Sequence, residues 1–421
     1  MQLVRRGVKT FIHLSNDFSL LEVLHTSQLV YPFIYKTATF LLPRRIVFGV
    51  NTIERIGEEM KTLTSKKIII VTGPVVSKTG VVEKVMASLE KAGLEASVFD
   101  KVGPEPRIEM AEEAVEVARS GGFDGVIGVG GGSVMDIAKV ASISLTNPGA
   151  VKNYLGLNQV AKKGVPLICA PTTAGTGSEV TRFSLLVVGN VKRSINSPNI
   201  VPDIALVDPM LTVSSPTNVT AGSGLDALSH AIESMLSTEI TPLADALALE
   251  AINFISRYLR VAYHHGGNIE ARTYLSLAAT MAGLAFNQGL LVLGHSVAMT
   301  FGPLYNVPHG TSCGMSLPYI MEYYLPVAAD KLTLIARAMG ENVGGLTPRE
   351  AALKAIYAVR RLVEDAEIPL SLKEIGVPKE QLPTFAEACV RDWPRPNSPR
   401  KLTKESVLKV FERLWSGEGP E

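Results

Sequence analysis

From residue 40 to about residue 208, short apolar runs alternate with amphipathic stretches, and this rhythm defines the first half of the chain. KKIIIVTG predicts a buried strand over residues 66–73, because its apolar positions are consecutive. VVEKVMASLEKAG repeats apolar positions at helical spacing and stops at Gly93. EASVFD predicts a strand, and EMAEEAVEVARSGG a helix stopped by Gly121 and Gly122. DGVIGVGGG predicts a strand, SVMDIAKVASISL a helix, and VPLICAPTT a further strand. Strands separated by helical crossovers run parallel with helices on both faces, so the expected fold class is α/β with a doubly wound parallel sheet over residues 38–213. FSLLVV and VKRSIN, joined by Gly189 and Asn190, interrupt the rhythm as a hairpin with a two-residue turn.

After Pro216 the pattern changes to long amphipathic runs. These are LADALALEAINFISRYLRVAY, ARTYLSLAATMAGLAFN, PVAADKLTLIARAMG and TPREAALKAIYAVRRLVEDA. Alanine and leucine dominate and β-branched residues thin out, as helices prefer. Residues 214–421 are therefore expected to form an all-helical C-terminal domain, with the boundary marked by Pro209 and Pro216. Residues 1–37 fit neither pattern. They begin basic (Arg5, Arg6, Lys9) and lack a continuous apolar core followed by a small-residue cleavage site, since Glu22 and His25 interrupt the best stretch. An accessory segment or an upstream start is favoured over a weak targeting segment.

Composition narrows the class. A chain of 421 residues, 46% hydrophobic and 19% charged, suits two domains with large cores. With 41 basic and 40 acidic residues the net charge is +1, which argues against a nucleic-acid or membrane-surface partner held by charge. Three cysteines, Cys169, Cys313 and Cys389, are too widely spaced for a disulfide framework or a paired-cysteine metal site, which suits a cytoplasmic protein. No apolar run reaches the ~18 residues of a membrane span.

Three segments carry chemistry. GVGGGSVMD, residues 128–136, follows a strand and opens a helix. Consecutive glycines allow close backbone approach to a phosphate, and the helix start offers N–H groups to a pyrophosphate. The loop sits one or two strands later than the usual GxGxxG of a dinucleotide fold, which points away from short-chain and lactate-type dehydrogenases. PTTAGTGSEVT, residues 171–181, places hydroxyl groups after another strand, where they serve either a cofactor or an ordinary polar loop. The third segment is a ligand set. Asp226 and His230 share a helix face in GLDALSHAIES, and His295 and His309 follow in GHSV and VPHG. One carboxylate and three imidazoles suit a divalent transition metal. His295 and His309 would lie roughly 20 Å apart on a straight helix, at about 1.5 Å per residue. Gly302, Pro303 and Pro308 between them are expected to break the helix and turn the chain back.

FLLPRRIVFG, GGGSVMD, PTTAGTGSEVT, DPML at Asp208, GLDALSHAIE, GHSV and VPHG occur in the order found in iron-containing (group III) alcohol dehydrogenases. The resemblance covers roughly residues 38–415. It implies a dinucleotide-binding α/β domain, a helical domain and a cleft between them. It implies metal binding by Asp226, His230, His295 and His309, with Fe2+ usual and Zn2+ the alternative. It implies pyrophosphate binding by Gly131, Gly132 and Ser133, with Thr172, Thr173, Thr176, Ser178 and Thr181 lining the cofactor. Lys192 matches a lysine that reaches the cofactor ribose. Members transfer hydride between NAD(P)(H) and a small alcohol, aldehyde, semialdehyde or hydroxy acid, and a homodimer is expected.

Three positions depart from the family pattern. Gly73 stands where many members have an aspartate that binds the adenine-side ribose, so NADP(H) is expected to be accepted and preferred over NAD(H). Met299 replaces a histidine four residues after the third metal ligand, which leaves water, Thr300 or a ribose hydroxyl to move the proton. Glu105 replaces the asparagine of a Pro-Asn-Pro pattern, with no role apparent from the sequence. Cys313, four residues after His309, reads as packing near the metal. Two other readings share the architecture. A dehydroquinate synthase-like lyase would need basic groups for a phosphorylated substrate, but LLVLGHSVAMTFGPLY is apolar. A non-catalytic relative would be favoured by missing ligands, and all four are present.

Overall fold

The β-branched runs form strands because their side chains fill both faces of a sheet. The computed structural model describes residues 37–189 and 191–420, so the expectations for the N-terminal segment and for Asn190 lie outside the described residues. Nine strands are described: β1 Arg45–Phe48, β2 Lys67–Val71, β3 Glu95–Phe99, β4 Gly125–Gly130, β5 Gly156–Leu157, β6 Leu167–Pro171, β7 Phe183–Val188, β8 Val191–Asn196 and β9 Ile204–Val207. Six of them make one sheet in the order β1-β9-β6-β4-β2-β3, with every pair parallel. Alternate residues of the central strands enter different cores. Ile69, Val71 and Val126 pack with α3 (Ile108–Ser120) and α4 (Gly132–Ser144). Ile68, Ile70, Ile127 and Val129 pack with α1 (Ile56–Lys61) and α2 (Val81–Lys91). This is the doubly wound arrangement that the alternation predicts.

The strand order reverses between β2 and β4, where β3 lies to one side and β6 to the other. Open α/β sheets bind ligands at that crevice, beyond the carboxyl ends of the strands. Gly73 follows β2 and the glycine loop follows β4, so both stand at the switch point. β7 and β8 form the expected antiparallel hairpin, and β5 adds a third, parallel strand beside β8. β1, β5, β9 and α1 are not evident in the sequence because each has too few residues to show a period.

The helical half comprises α5 Thr217–Leu236, α6 Pro242–His264, α7 Ile269–Gly289, α8 Leu293–Phe301, α9 His309–Ala338, α10 Pro348–Asp365, α11 Leu382–Asp392 and α12 Lys404–Ser416. The run that the sequence suggests from Pro326 is the second part of α9, which starts at His309, passes Pro318 and Pro326 and kinks at Ala328. Among the described residues, no single helix is long and apolar enough to cross a membrane.

The two halves meet where residues 171–181 pack on α7. A Cβ added at Gly177 would lie 2.5 Å from Gly283 Cα, and one added at Gly283 would lie 2.8 Å from Gly177 Cα. Thr280 donates its hydroxyl to the buried Glu179 carboxylate at 2.8 Å. The Asn287 side chain accepts from Arg182 N at 3.0 Å and donates to Leu41 O at 2.7 Å. Gly283→Val is expected to lower stability by about 1–3 kcal/mol through overpacking. Chemical denaturation checks it, and an unchanged midpoint would show that this contact yields at no cost.

Candidate metal centre

Asp226 and His230 stand one turn apart on α5, which is buried along most of its length. His295 is near the start of α8 and His309 is the first residue of α9. The break between them lies where Gly302, Pro303 and Pro308 predict it. α8 ends at Phe301, Pro303–Tyr305 make a single 3-10 turn, Asn306 takes a left-handed φ of 53°, and Pro308 precedes the new helix. The reversal brings the first turn of α9 against α5. A Cβ at Gly310 would collide with the Gly222 carbonyl, so only glycine permits this approach.

Three imidazoles thereby converge on one carboxylate oxygen. The Nε2 atoms of His230, His295 and His309 lie 3.8, 3.5 and 3.7 Å from Asp226 Oδ1. These separations are too long for good hydrogen bonds, and Asp226 Oδ1 is buried without a hydrogen-bond partner. A buried charge without partners is strongly unfavourable, and a cation among these four atoms would satisfy it. The residues therefore fit a divalent metal. Burial opposes ionisation of Asp226, but the three histidines hold its carboxyl well below the usual range. Burial pushes His230 down to about 4 and His309 down to about 3, which leaves both rings neutral with lone pairs to donate. His295 moves the other way: burial opposes its charge, but Cys313, Glu233 and Asp226 hold it well above the ordinary imidazole value.

Sequence reasoning gave no role to Glu233. Its buried carboxylate accepts from His295 Nδ1 at 2.6 Å, Val292 N at 3.1 Å and His295 N at 3.3 Å. It thus fixes which ring nitrogen of His295 carries the proton and turns Nε2 toward Asp226. The signal was present, because Glu233 lies three residues after His230 and seven after Asp226 on one helix face. Gly294, in the GHSV motif, is explained by the same contact: a Cβ there would strike the Glu233 carboxylate. Cys313 is nearer than packing alone implies. Its sulfur lies 3.7 Å from Nε2 of both His295 and His309, and Asp226, His295, His309 and Cys313 form one cluster of potential ligand atoms. Burial pushes its thiol up to about 11. Met299 is half-buried one turn beyond His295. Thr300 is buried and donates its hydroxyl to Ser296 O at 2.8 Å.

Across the cleft, Gly131, Gly132 and Ser133 are partly open at the start of α4. A Cβ at Gly131 would meet Thr173 Oγ1 at 3.5 Å and one at Gly132 would meet Thr176 Cγ2 at 2.7 Å, so the glycine and threonine loops face each other. Thr172 is buried at the end of β6. Ser178 and Thr181 are turned inward instead. The buried Lys139 donates to Ser178 Oγ at 2.8 Å, Thr181 Oγ1 at 3.2 Å and Phe183 O at 2.7 Å, so this lysine ties the threonine loop to α4. Lys192 pairs with Glu105 at 2.8 Å. Gly73 is buried, and a Cβ there would lie 2.5 Å from Val102 O. The glycine is therefore also required by the approach of the chain after β3.

Residues 43–209 match the family model for iron-containing alcohol dehydrogenase, and residues 220–415 match the C-terminal model of the same family. The chain is 37% identical over 385 residues to the 1,3-propanediol dehydrogenase of Citrobacter freundii, covering 90% of this chain and 100% of that protein. It is 37% identical over 383 residues to the long-chain-alcohol dehydrogenase 1 of Geobacillus thermodenitrificans, covering 89% and 97% respectively. A solved structure of a 1,3-propanediol oxidoreductase superposes with a TM-score of 0.88 at 36% identity, over 90% of this chain and 100% of that one. An alcohol dehydrogenase from Oenococcus oeni superposes at 0.87, with the same identity and coverage. The chain belongs to the iron-containing alcohol dehydrogenase family. It is a metal-dependent, NAD(P)-linked oxidoreductase acting on alcohols or aldehydes.

Two predictions follow from the charges of the centre. Glu233→Gln is expected to weaken metal binding roughly 10- to 100-fold while the fold persists, because a ligand's hydrogen-bond partner sets its orientation and basicity. Competition with a chelator checks it, and wild-type affinity would remove Glu233 from the site. Acid should weaken the contribution that the three histidines make to the stability of the metal-free protein. Below the ordinary imidazole value of 6.5 the unfolded chain protonates all three histidines, whereas the folded chain holds a proton on His295 but not on His230 or His309 until about pH 4 and 3. At these sites the unfolded state then binds more protons, so their contribution to stability falls as the pH drops from about 6.5 toward 4. Above 6.5 the His295 contribution acts alone and fades as the pH rises through its raised folded value. Asp136 and Asp245 act with the opposite sign over the same range, because burial holds both carboxyls up to about 7. The test is therefore the denaturant midpoint of the wild type relative to that of a His230→Gln/His309→Gln variant: the difference should move against the wild type between about pH 6.5 and 4, and an unchanged difference would contradict it.

Proposed function

We propose that Asp226, His230, His295 and His309 hold the metal and that the dinucleotide lies across the switch point, with its pyrophosphate at Gly131, Gly132 and Ser133. The observation that carries this reading is the unpartnered Asp226 Oδ1 among three imidazole Nε2 atoms. A divalent cation held there would supply Lewis-acid polarisation of the substrate oxygen, and a bound nicotinamide would supply or accept the hydride. The chain's own residues do the positioning. Glu233 holds His295 in one tautomer. Thr173 and Thr176 offer hydroxyls beside the glycine loop, while Lys139 secures Ser178 and Thr181 behind it. Cys313 stands within reach of the ligand set, and its sulfur suits Zn2+ as an alternative to Fe2+.

The substrate is a small alcohol or aldehyde. Phe286 stacks on His230 with ring centroids 4.4 Å apart, and Phe183 stacks on Phe286 at 5.9 Å, so an apolar wall flanks the centre. The two arginines considered for a carboxylate are engaged elsewhere: Arg391 pairs with Asp392 at 2.7 Å, and Arg395 donates to Ser296 Oγ at 2.8 Å. The relative named for propanediol fits this class, whereas the one named for long-chain alcohols takes larger substrates. NADP(H) is the preferred cofactor on this reading, because Gly73 presents no carboxylate to a 2′-phosphate. Homodimerisation follows from the family resemblance.

The test is anaerobic reduction of C2–C6 aldehydes by metal-stripped protein reloaded with iron(II) or zinc, with NADPH and NADH followed separately. Metal-dependent oxidation of NADPH faster than NADH is expected. Faster turnover with NADH would overturn the cofactor preference alone. Asp226→Ala and His295→Ala should each lose bound metal and activity while keeping most of the fold, and full activity after rigorous metal removal would overturn the ligand assignment. Gly73→Asp is a poorer probe of preference, since its side chain must displace the Val102 carbonyl.

A further inference from the structure

Lys192 and Glu105 reach each other from two adjoining segments of the dinucleotide half. Lys192 lies on β8, and Glu105 lies on the loop between β3 and α3. Their ion pair is 2.8 Å long, with 14% of the lysine side chain and 45% of the glutamate exposed. The local backbone is committed to this placement. Glu105 takes a left-handed φ of 50°, Val187 N donates to Pro106 O at 2.9 Å, and Arg107 donates to Gly189 O at 3.3 Å, so the loop is pinned to the hairpin. The hairpin that carries Lys192 stands between the glycine-loop helix and the metal centre: Ser184 on β7 donates its hydroxyl to Asp136 O in α4 at 3.1 Å, and Phe183 on β7 stacks on Phe286, which stacks on His230.

Nicotinamide differs in charge between its two states: the oxidised ring is cationic and the reduced ring is neutral. A bare ammonium beside a divalent metal would disfavour the oxidised ring specifically. We propose that Glu105 neutralises Lys192 and so sets the discrimination between oxidised and reduced cofactor. This role rests on the reading above that the dinucleotide lies across the switch point, and on Lys192 reaching the ribose on its nicotinamide side. Glu105 is thus a positioning and charge-balancing residue acting through Lys192, and the pair acts as one unit. An exposed ion pair of this kind adds little to folding stability, so its effect should appear in cofactor binding.

The experiment is a double-mutant cycle on the metal-loaded enzyme, with dissociation constants for NADP+ and NADPH measured separately by fluorescence titration and calorimetry. Glu105→Gln is expected to raise the ratio Kd(NADP+)/Kd(NADPH) on the order of threefold to tenfold. Lys192→Met should lower that ratio, and the double variant should return it near the wild-type value. Glu105→Asn should repeat the shift of Glu105→Gln, which guards against a local effect of one side chain, and thermal unfolding confirms that each variant is folded. An unchanged ratio in both single variants overturns the proposal. So does a parallel loss of affinity for both redox states, which is the signature of a merely structural contact. If Lys192→Met leaves the binding of both cofactor forms untouched, the placement of the cofactor at Lys192 fails, and the proposal fails with it.

Discussion

The helical half of this protein is organised around a carboxylate that cannot be left alone. Asp226 is buried with an unpartnered oxygen, and Glu233 is buried two turns later on the same helix. With neutral imidazoles these two groups bring two negative charges into an apolar bundle, a cost that no packing contact offsets. The metal-free chain relieves part of it by keeping a proton on His295. A divalent cation balances both charges at once, so metal binding and folding of this half are coupled. The centre thus contributes to the stability of the helical core as well as to the chemistry.

Glycine makes that core geometrically attainable. Gly310 lets α9 start against α5, Gly294 leaves room for Glu233 beneath His295, and the contact of Gly177 with Gly283 seats the cofactor-side loop on the helix behind the centre. Each position tolerates no Cβ without a backbone or carboxylate moving. Conformational freedom is not the issue at Gly294 or Gly310, where φ is ordinary. What these sites need is the missing atom, because close approach sets the ligand separations.

Much of the fold was legible because its signals are periodic. Consecutive apolar residues marked β2, β4 and β6, and helical spacing marked α2, α3 and the longer helices. The break between His295 and His309 was legible from Gly302, Pro303 and Pro308, since proline and glycine act locally. Edge strand β1 and strand β9 were not, because four residues carry no usable period. In the site, ligand chemistry pointed to Asp226 and the three histidines. Lys139 and the contact of Glu233 with His295 stayed hidden because the partners are distant in sequence, whereas Cys313 was placed near the metal by its position one turn after His309. Glu233 meets His295 across 62 positions and Lys139 meets Thr181 across 42. Side-chain pairing across such separations has no one-dimensional signature.

Gly73 shows how a sequence reading changes meaning in three dimensions. From sequence it is an absent carboxylate, hence a tolerance for a 2′-phosphate. In the structure it is also the only residue type that fits beneath the Val102 carbonyl. That carbonyl belongs to the chain leaving β3, which three residues later carries Glu105 at its left-handed φ and delivers it to Lys192. The two departures from the family pattern on this side of the cleft are therefore joined by one stretch of backbone. Its path excludes a side chain at Gly73 and places the Glu105 carboxylate against Lys192. A substitution at Gly73 would not act locally alone. By displacing Val102 it would shift the loop that holds Glu105, so a change in cofactor preference introduced there should carry a change in redox-state discrimination with it.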